Sequence, residues 1–299
     1  MGKFYEAIMG LVVGDALGVP YEFKQRDSFK AEGMIGFGTH NQPPGTWSDD
    51  SSMTLATVES LARLRKINPY DIMKNFWQWY NNGAFTPHGN VFDVGGTTRK
   101  AISRFCAGWN PECCGGCSDF DNGNGALMRI LPMAFYPGTV WDAEKVASLT
   151  HNHRISNTAC ALYVCMAVNL WGCEKHLAIK DGIKMIDLII DIPKELHRLK
   201  QLDSLTRDEI RSTGYVVDTL EAALWCFLKA DSYRDCVLMA VNLGGDTDTI
   251  AAVAGGLAGI YYGIGGDNGI PEEWIDQIAK KDEIKDLCER FEGVFCGGE

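Results

Sequence analysis

Two short stretches hold most of the chain's capacity for chemistry. "TWSDDSSM" sets Ser48, Asp49 and Asp50 in a row, and "GGDTDT" sets Asp246, Asp248 and Thr249 within four positions. Each leads into an apolar run with helical spacing. Taken singly, either stretch reads as a helix start, where Ser accepts backbone N–H bonds and first-turn acids suit the dipole. An EF-hand is excluded: the fifth position counted from Asp246 is Ile250, and no Glu closes the loop. "DFDNGNG" fails the same test, with Asn124 where that loop requires Gly. What remains is a pair of oxygen-rich clusters about two hundred residues apart. Should the two helices pack together, four carboxylates and two hydroxyls would crowd into one space and repel. Hard divalent cations relieve that conflict. Oxygen-only donors suit Mg²⁺ or Mn²⁺, and four carboxylates can hold two ions.

The elements that must position these groups are helical. In "DDSSMTLATVESLARLRK", Met53, Ala56, Leu61 and Leu64 recur at near-helical spacing. Similar patterns predict helices over 4–18, 70–80, 97–105, 142–150, 156–171, 216–229, 233–243 and 249–262. Alternating strand patterns are scarce, so the fold class is all-α. Irregular stretches at 24–47, 81–96 and 106–125 are rich in Gly, Asn, Asp and Pro and read as loops. No linker, fixed-period repeat or low-complexity tract divides the chain, which fits one compact domain over 1–299. Gly10 and Gly14, with Ala251, Ala252, Gly255, Gly256 and Gly259, mark helices that must approach closely. Glycine costs roughly 1 kcal/mol against Ala inside a helix, so the late helix carries a packing demand and should be central.

Composition bounds the function. The 299 residues are 46% hydrophobic and 22% charged, ordinary for a globular protein. Net charge is -11 with pI ≈ 5.0 and no Lys/Arg block, which disfavours nucleic-acid binding. An anionic ligand stays possible where bound metal inverts the local sign. Glu6 and Asp15 interrupt the early apolar run, so no signal peptide is expected. The longest later run, 250–264, falls short of the ~20 residues that cross a bilayer. Eleven Cys without secretory signals suggest reduced thiols in a cytoplasmic protein. Cys113, Cys114 and Cys117 include a CxxC that lacks the partners of a zinc site; surface thiols in a Gly-rich loop are the favoured reading, a redox pair the weaker one.

Seven blocks, "GDALGVPYEF", "TWSDDSSMTLA", "FDVGGTTRKAI", "DNGNGALMRILP", "LTHNHRISNTAC", "GYVVDTLEAAL" and "NLGGDTDTIAAVAGGLAG", run from Gly14 to Gly259. In that order they resemble the ADP-ribosylglycohydrolase family, most closely its dinitrogenase reductase-activating branch. The resemblance implies an orthogonal all-α bundle and a binuclear Mg²⁺ or Mn²⁺ centre that removes ADP-ribose from modified protein. It implies Ser48, Asp49, Asp50, Asp246, Asp248 and Thr249 as metal ligands, the residues the charge argument selects. Ser48 stands where Thr is commoner and keeps the hydroxyl.

Cleaving a ribosyl C–N bond requires a held ribose, stabilised charge at the anomeric carbon and proton transfer to and from carboxylates. Resemblance implies Asp93, in "FDVGG", as general acid/base, where the residues alone read as an Asp turn. It implies Glu22 as a second catalytic acid guarding the metals; alone, Glu22 reads as a surface residue. The loop "DNGNGALMR" can cradle a diphosphate with backbone N–H groups or be a plain turn; it has no Walker lysine. Resemblance favours substrate contact there, from Asn124, Gly125, Met128 and Arg129. His151 and His153 lack metalloprotease spacing and read as capping or core histidines, although resemblance lines the pocket with His151. Arg154 departs from the Pro common beside them. Tyr215 suits nucleoside contact or the core, and the eight Trp read as packing residues in helices. Hydrolysis of an arginine linkage leads. A serine-linked or O-acetyl-ADP-ribose hydrolase and a non-catalytic ADP-ribose-binding relative remain the alternatives.

Overall fold

The computed structural model describes residues 2–297. Among the described residues there are twelve α-helices, beginning with α1 (Lys3–Gly18), α2 (Asp49–Leu64), α3 (Pro69–Asn82), α4 (Gly96–Cys106), α5 (Val140–Ala147) and α6 (Arg154–Asn169). α7 (Lys175–Asp187), α8 (Val216–Lys229), α9 (Tyr233–Val241), α10 (Thr247–Tyr262), α11 (Glu272–Ile275) and α12 (Lys281–Phe295) complete it. Among the described residues there is no sheet, only isolated bridges such as Gly123 to Tyr215.

Local chemistry sets the helix ends. Asn68 accepts from Asp71 N ahead of Pro69, and Gly83, left-handed at φ 67°, stops α3. Thr139 and Asp142 form a capping box on α5. Three helices, α7, α12 and the four-residue α11, lie outside the stretches that periodicity singles out. Their charged faces dilute the apolar signal, yet Ile284, Leu287, Cys288 and Phe291 of α12 are buried at helical spacing. That stripe was readable.

The core is built around α1 against α10. Every α10 residue from Thr247 to Ile260 is buried. A Cβ on Gly10 would stand 2.3 Å from Gly255 O, and one on Gly14 would stand 2.1 Å from Ala251 O. The backbones therefore touch where only glycine fits, as the small-residue pattern predicts. Tyr233 hydroxyl donates to Gly10 O at 2.6 Å and Tyr163 to Val253 O at 2.9 Å, pinning this pair from two sides. The close approach has a functional result: it fixes the N-terminus of α10 against the C-terminal half of α1.

The thiols are as expected in being unpaired, but Cys114 is fully buried rather than a surface thiol, and its Sγ points at Asn110 O. Nor are all eight Trp packing residues in helices: Trp109, Trp141 and Trp171 are more than half exposed, and Trp47 packs in the core from a loop. No described helix is long and apolar enough to cross a membrane.

Candidate active site

The turn before α10 delivers one half of the site. Gly244 and Gly245 take φ of 70° and 74°, and a Cβ on Gly245 would stand 2.1 Å from Ser212 O. Only glycine is accommodated there. Asp246 N then donates to Ser212 O at 3.0 Å. Arg26 locks the turn by donating to Leu243 O, Arg207 O and Ile210 O at 2.6 to 2.8 Å. From the other side, Gly18 of α1 abuts Asp248, where a Cβ would meet its Cα at 2.3 Å.

The N-terminus of α2 delivers the other half. Ser48 caps it, its hydroxyl accepting from Asp50 N. Asp15, in the last turn of α1, accepts from Ser48 N at 2.9 Å, Ser51 N at 3.0 Å and Ser51 Oγ at 2.6 Å. One buried carboxylate thereby binds α1 to the start of α2. The sequence reading did not select Asp15, although a lone acid in so apolar a run was a signal.

The two halves meet. Thr249 Oγ1 donates to Asp50 Oδ1 at 3.3 Å. Carboxylate oxygens of Asp15, Asp50 and Asp248 lie within 4.8 Å of one another, and so do those of Glu22, Asp246 and Asp248. Asp248 belongs to both groups. Ser48, Asp49, Asp50, Asp248 and Thr249 are buried, with Asp246 partly exposed at the outer edge.

This arrangement costs free energy without a counter-charge. Burial, then the charges of neighbouring acids, holds Asp49, Asp50 and Asp248 well above the usual carboxylate range, and burial pushes Asp15 to about 6. Asp50 Oδ2 and Asp248 Oδ2 are buried with no hydrogen-bond partner. Buried carboxylate oxygens of that kind fit a hard cation, and the donor set, all oxygen, fits Mg²⁺ or Mn²⁺.

A second acid group lines the edge. Glu22, His40 and Asp93 bring one ligand atom each within 4.8 Å. Glu22 is only 3% exposed, so it is not the surface residue its neighbours in sequence suggest. Burial, with Asp93 and Asp246 adding to it against the His40 hydrogen bond, pushes its carboxyl to about 7. The short turn Gly38–His40 grips it twice: Thr39 Oγ1 donates to its carbonyl at 2.7 Å, and His40 Nε2 engages its carboxylate. That contact raises the His40 pKa. Asp93 has φ 49°, a conformation non-glycine residues seldom take, and burial raises its pKa. His40 was not foreseen, because a loop histidine has no periodicity to mark it.

The remaining candidates divide. Asn124 uses its amide on Asp246 Oδ2 and Thr219 Oγ1, both at 2.9 Å, so it holds an acid of the cluster in place. Gly125 is packed so tightly that a Cβ would stand 2.8 Å from His151 Cε1. Met128 is buried in the core. Arg129 is a correction: it turns inward, fully buried, over the Phe76 ring and donates to Val146 O, Ala147 O and Thr150 Oγ1. Its neighbours in a Gly-rich loop gave no sign of that direction. Thr150 Oγ1 in turn sits 2.9 Å from His151 Nδ1, so Arg129 braces His151 from behind. Burial and the Arg129 charge pull His151 down to about 3, keeping it neutral. His153 caps α6 by accepting from Ile155 N, as the capping reading expects. Tyr215 precedes α8 half-exposed, packed against the core on one side.

A family model described as ADP-ribosylglycohydrolase matches residues 1–298. The chain belongs to the ADP-ribosylglycohydrolase family. Among relatives, it is 32% identical over 297 residues to ADP-ribosylarginine hydrolase Tri1 of Pseudomonas putida (strain GB-1), covering 95% of this chain and 76% of that protein. It is 31% identical over 288 residues to the ADP-ribosyl-[dinitrogen reductase] glycohydrolase of Rhodospirillum rubrum, covering 93% and 90%. A solved structure titled "ADP-ribosylglycohydrolase-related protein complex" superposes with a TM-score of 0.83 at 31% identity, covering 98% of this chain and 97% of that one. The ADP-ribosylglycohydrolase fold is therefore present end to end, and the relatives named are glycohydrolase enzymes.

Proposed function

We propose that this chain is a binuclear metal-dependent hydrolase that removes ADP-ribose from arginine side chains of mono-ADP-ribosylated proteins, in the cytoplasm. The observation that carries the reading is the meeting of Asp50 and Asp248, each with a buried unpartnered oxygen, beside the acid pair Glu22 and Asp93. Ser48, Asp49, Asp50, Asp246, Asp248 and Thr249 would hold two cations, Mg²⁺ or Mn²⁺. When bound, such ions supply Lewis acidity at the ribose and charge balance for the clustered carboxylates.

The chain's own groups manage the protons. In hydrolysis the C1′–N bond to the guanidino nitrogen breaks and a C1′–O bond to water forms. Asp93 takes a proton from that water, and the Glu22 carboxyl, which burial keeps partly protonated near neutrality, gives one to the departing nitrogen. Asn124 keeps Asp246 from turning away. His151, neutral and braced by Thr150, is available as an uncharged donor toward the ligand.

Arginine linkage is favoured by charge. With Glu22 acting as the acid, the six remaining carboxylates, Asp15, Asp49, Asp50, Asp93, Asp246 and Asp248, outnumber the four positive charges that two divalent ions bring. A surplus of negative charge, with Asp93 at its edge, attracts a cationic leaving group. The test is release of ADP-ribose from arginine-modified and serine-modified protein, with Mn²⁺ and with EDTA. Release from the arginine substrate that EDTA abolishes is expected. No release with Mn²⁺, or release from the serine substrate alone, overturns the reading.

A further inference from the structure

Phe23 and Phe92 stand next in sequence to the two acids assigned proton transfer, and neither ring is spent on the core in the usual way. Phe23 is 69% exposed, and Phe92 is half-buried. Their rings flank His40 at 6.1 Å and 5.1 Å between centroids. Because His40 engages the Glu22 carboxylate, both rings stand one side chain away from the acid pair.

Phe23 is held there. Its φ is 63°, a left-handed conformation that a bulky residue rarely takes. Its N–H donates to Gly245 O at 2.7 Å, and Gly245 N donates to Lys24 O at 2.9 Å, so the segment is tied to the residue before Asp246. An exposed ring forgoes the stabilisation that burial gives, and this one is fixed in that position by two backbone bonds. Its described ring neighbour is His40, and no Lys or Arg stands over it. The described cation–ring pairs use Tyr21, Phe76, Trp109, Phe227, Tyr262 and Trp274, and none uses Phe23 or Phe92.

We infer that Phe23 and Phe92 are specificity-determining residues whose rings, beside His40, take the guanidinium of the modified arginine while the Asp93 carboxylate supplies the negative charge. The inference rests on the arginine-hydrolase reading and adds what selects that linkage. A guanidinium is planar, weakly hydrated and permanently charged, so it stacks on an aromatic face and binds carboxylates at once. A neutral seryl oxygen gains nothing from either ring.

The test compares steady-state kinetics of wild type, Phe23→Leu, Phe23→Tyr and Phe92→Leu on arginine-ADP-ribosylated protein with Mn²⁺, alongside calorimetric affinity for free ADP-ribose. Leucine keeps apolar bulk and removes the π face, and position 23 is exposed enough that folding is not at stake. Both Leu variants should raise KM about three- to tenfold. Phe23→Tyr should stay near wild type, and ADP-ribose affinity should be unchanged in all. KM equal to wild type in both Leu variants overturns the inference and leaves the hydrolase reading intact, as does a matching loss of ADP-ribose affinity. A wild-type protein that releases nothing from the arginine substrate overturns the hydrolase reading, and this inference with it.

Discussion

Thr249 Oγ1 donates to Asp50 Oδ1 across 199 residues of chain, at 3.3 Å. That contact joins the starts of α2 and α10, and most of the fold's special features serve it. Glycines let α1 and α10 touch, Asp15 pins α2 to α1, and Arg26 fixes the turn ahead of Asp246.

The glycine seam between α1 and α10 should tolerate no added methyl. Gly14→Ala adds a methyl 2.1 Å from a backbone carbonyl that cannot swing aside. Overpacking of this kind costs about 1–3 kcal/mol, and the upper end is expected here because backbone opposes backbone. Urea denaturation should report it. A change below about 0.5 kcal/mol would mean the helices are not in contact at Gly14.

Asp15 should matter for metal although the sequence reading passed over it. Asp15→Asn keeps the shape but replaces an acceptor of three bonds with an amide. Loss of such a supporting contact typically weakens metal binding 10- to 100-fold. Calorimetric titration with Mn²⁺ measures this, and unchanged affinity would make Asp15 a purely structural tie.

Asp93→Asn should separate chemistry from binding. Removing a positioned acid/base is worth roughly 10²–10⁴ in kcat. Mn²⁺ affinity should hold, since Asp93 stands outside the set proposed as ligands. An equal loss in both would place Asp93 among those ligands instead.

Stability of the metal-free protein should depend on pH with a definite sign. The folded pKa of Asp15 is about 6 and of Glu22 about 7, above unfolded values near 4. Groups raised in this way stabilise the fold fully below about pH 4 and lose that contribution as pH rises through 6 and 7. His151, pulled down to about 3, acts oppositely: its contribution is complete above about pH 6.5 and drains away as pH falls toward 3. EDTA-treated protein should therefore melt roughly 5 °C lower at pH 8 than at pH 5.5, with Mn²⁺ restoring more at the higher pH. A melting temperature that rises from pH 5.5 to 8 without metal would contradict the burial of these acids.

How much of this was legible follows from where each signal resides. Ser48, Asp49 and Asp50, like Asp246, Asp248 and Thr249, head helices whose periodicity and small residues are local, so their types and position were readable together. The nine helices read from periodicity are present within a few residues, the largest shift being α5, which ends at Ala147. Asp15 is marked locally only as a lone acid in an apolar run, and its partners come from α2; His40 acquires its role from what packs against it, with nothing local to announce it. Arg129 shows the converse: a Gly-rich loop reveals flexibility but not which way a long side chain turns. In α12 the stripe of Ile284, Leu287, Cys288 and Phe291 was present and simply outweighed by charge.

The most direct measurement is anomalous diffraction at the manganese edge from crystals grown in MnCl₂. Two peaks should appear between the N-termini of α2 and α10, bounded by Asp50 and Asp248. A dry gap there, or manganese bound only elsewhere on the molecule, would contradict the account.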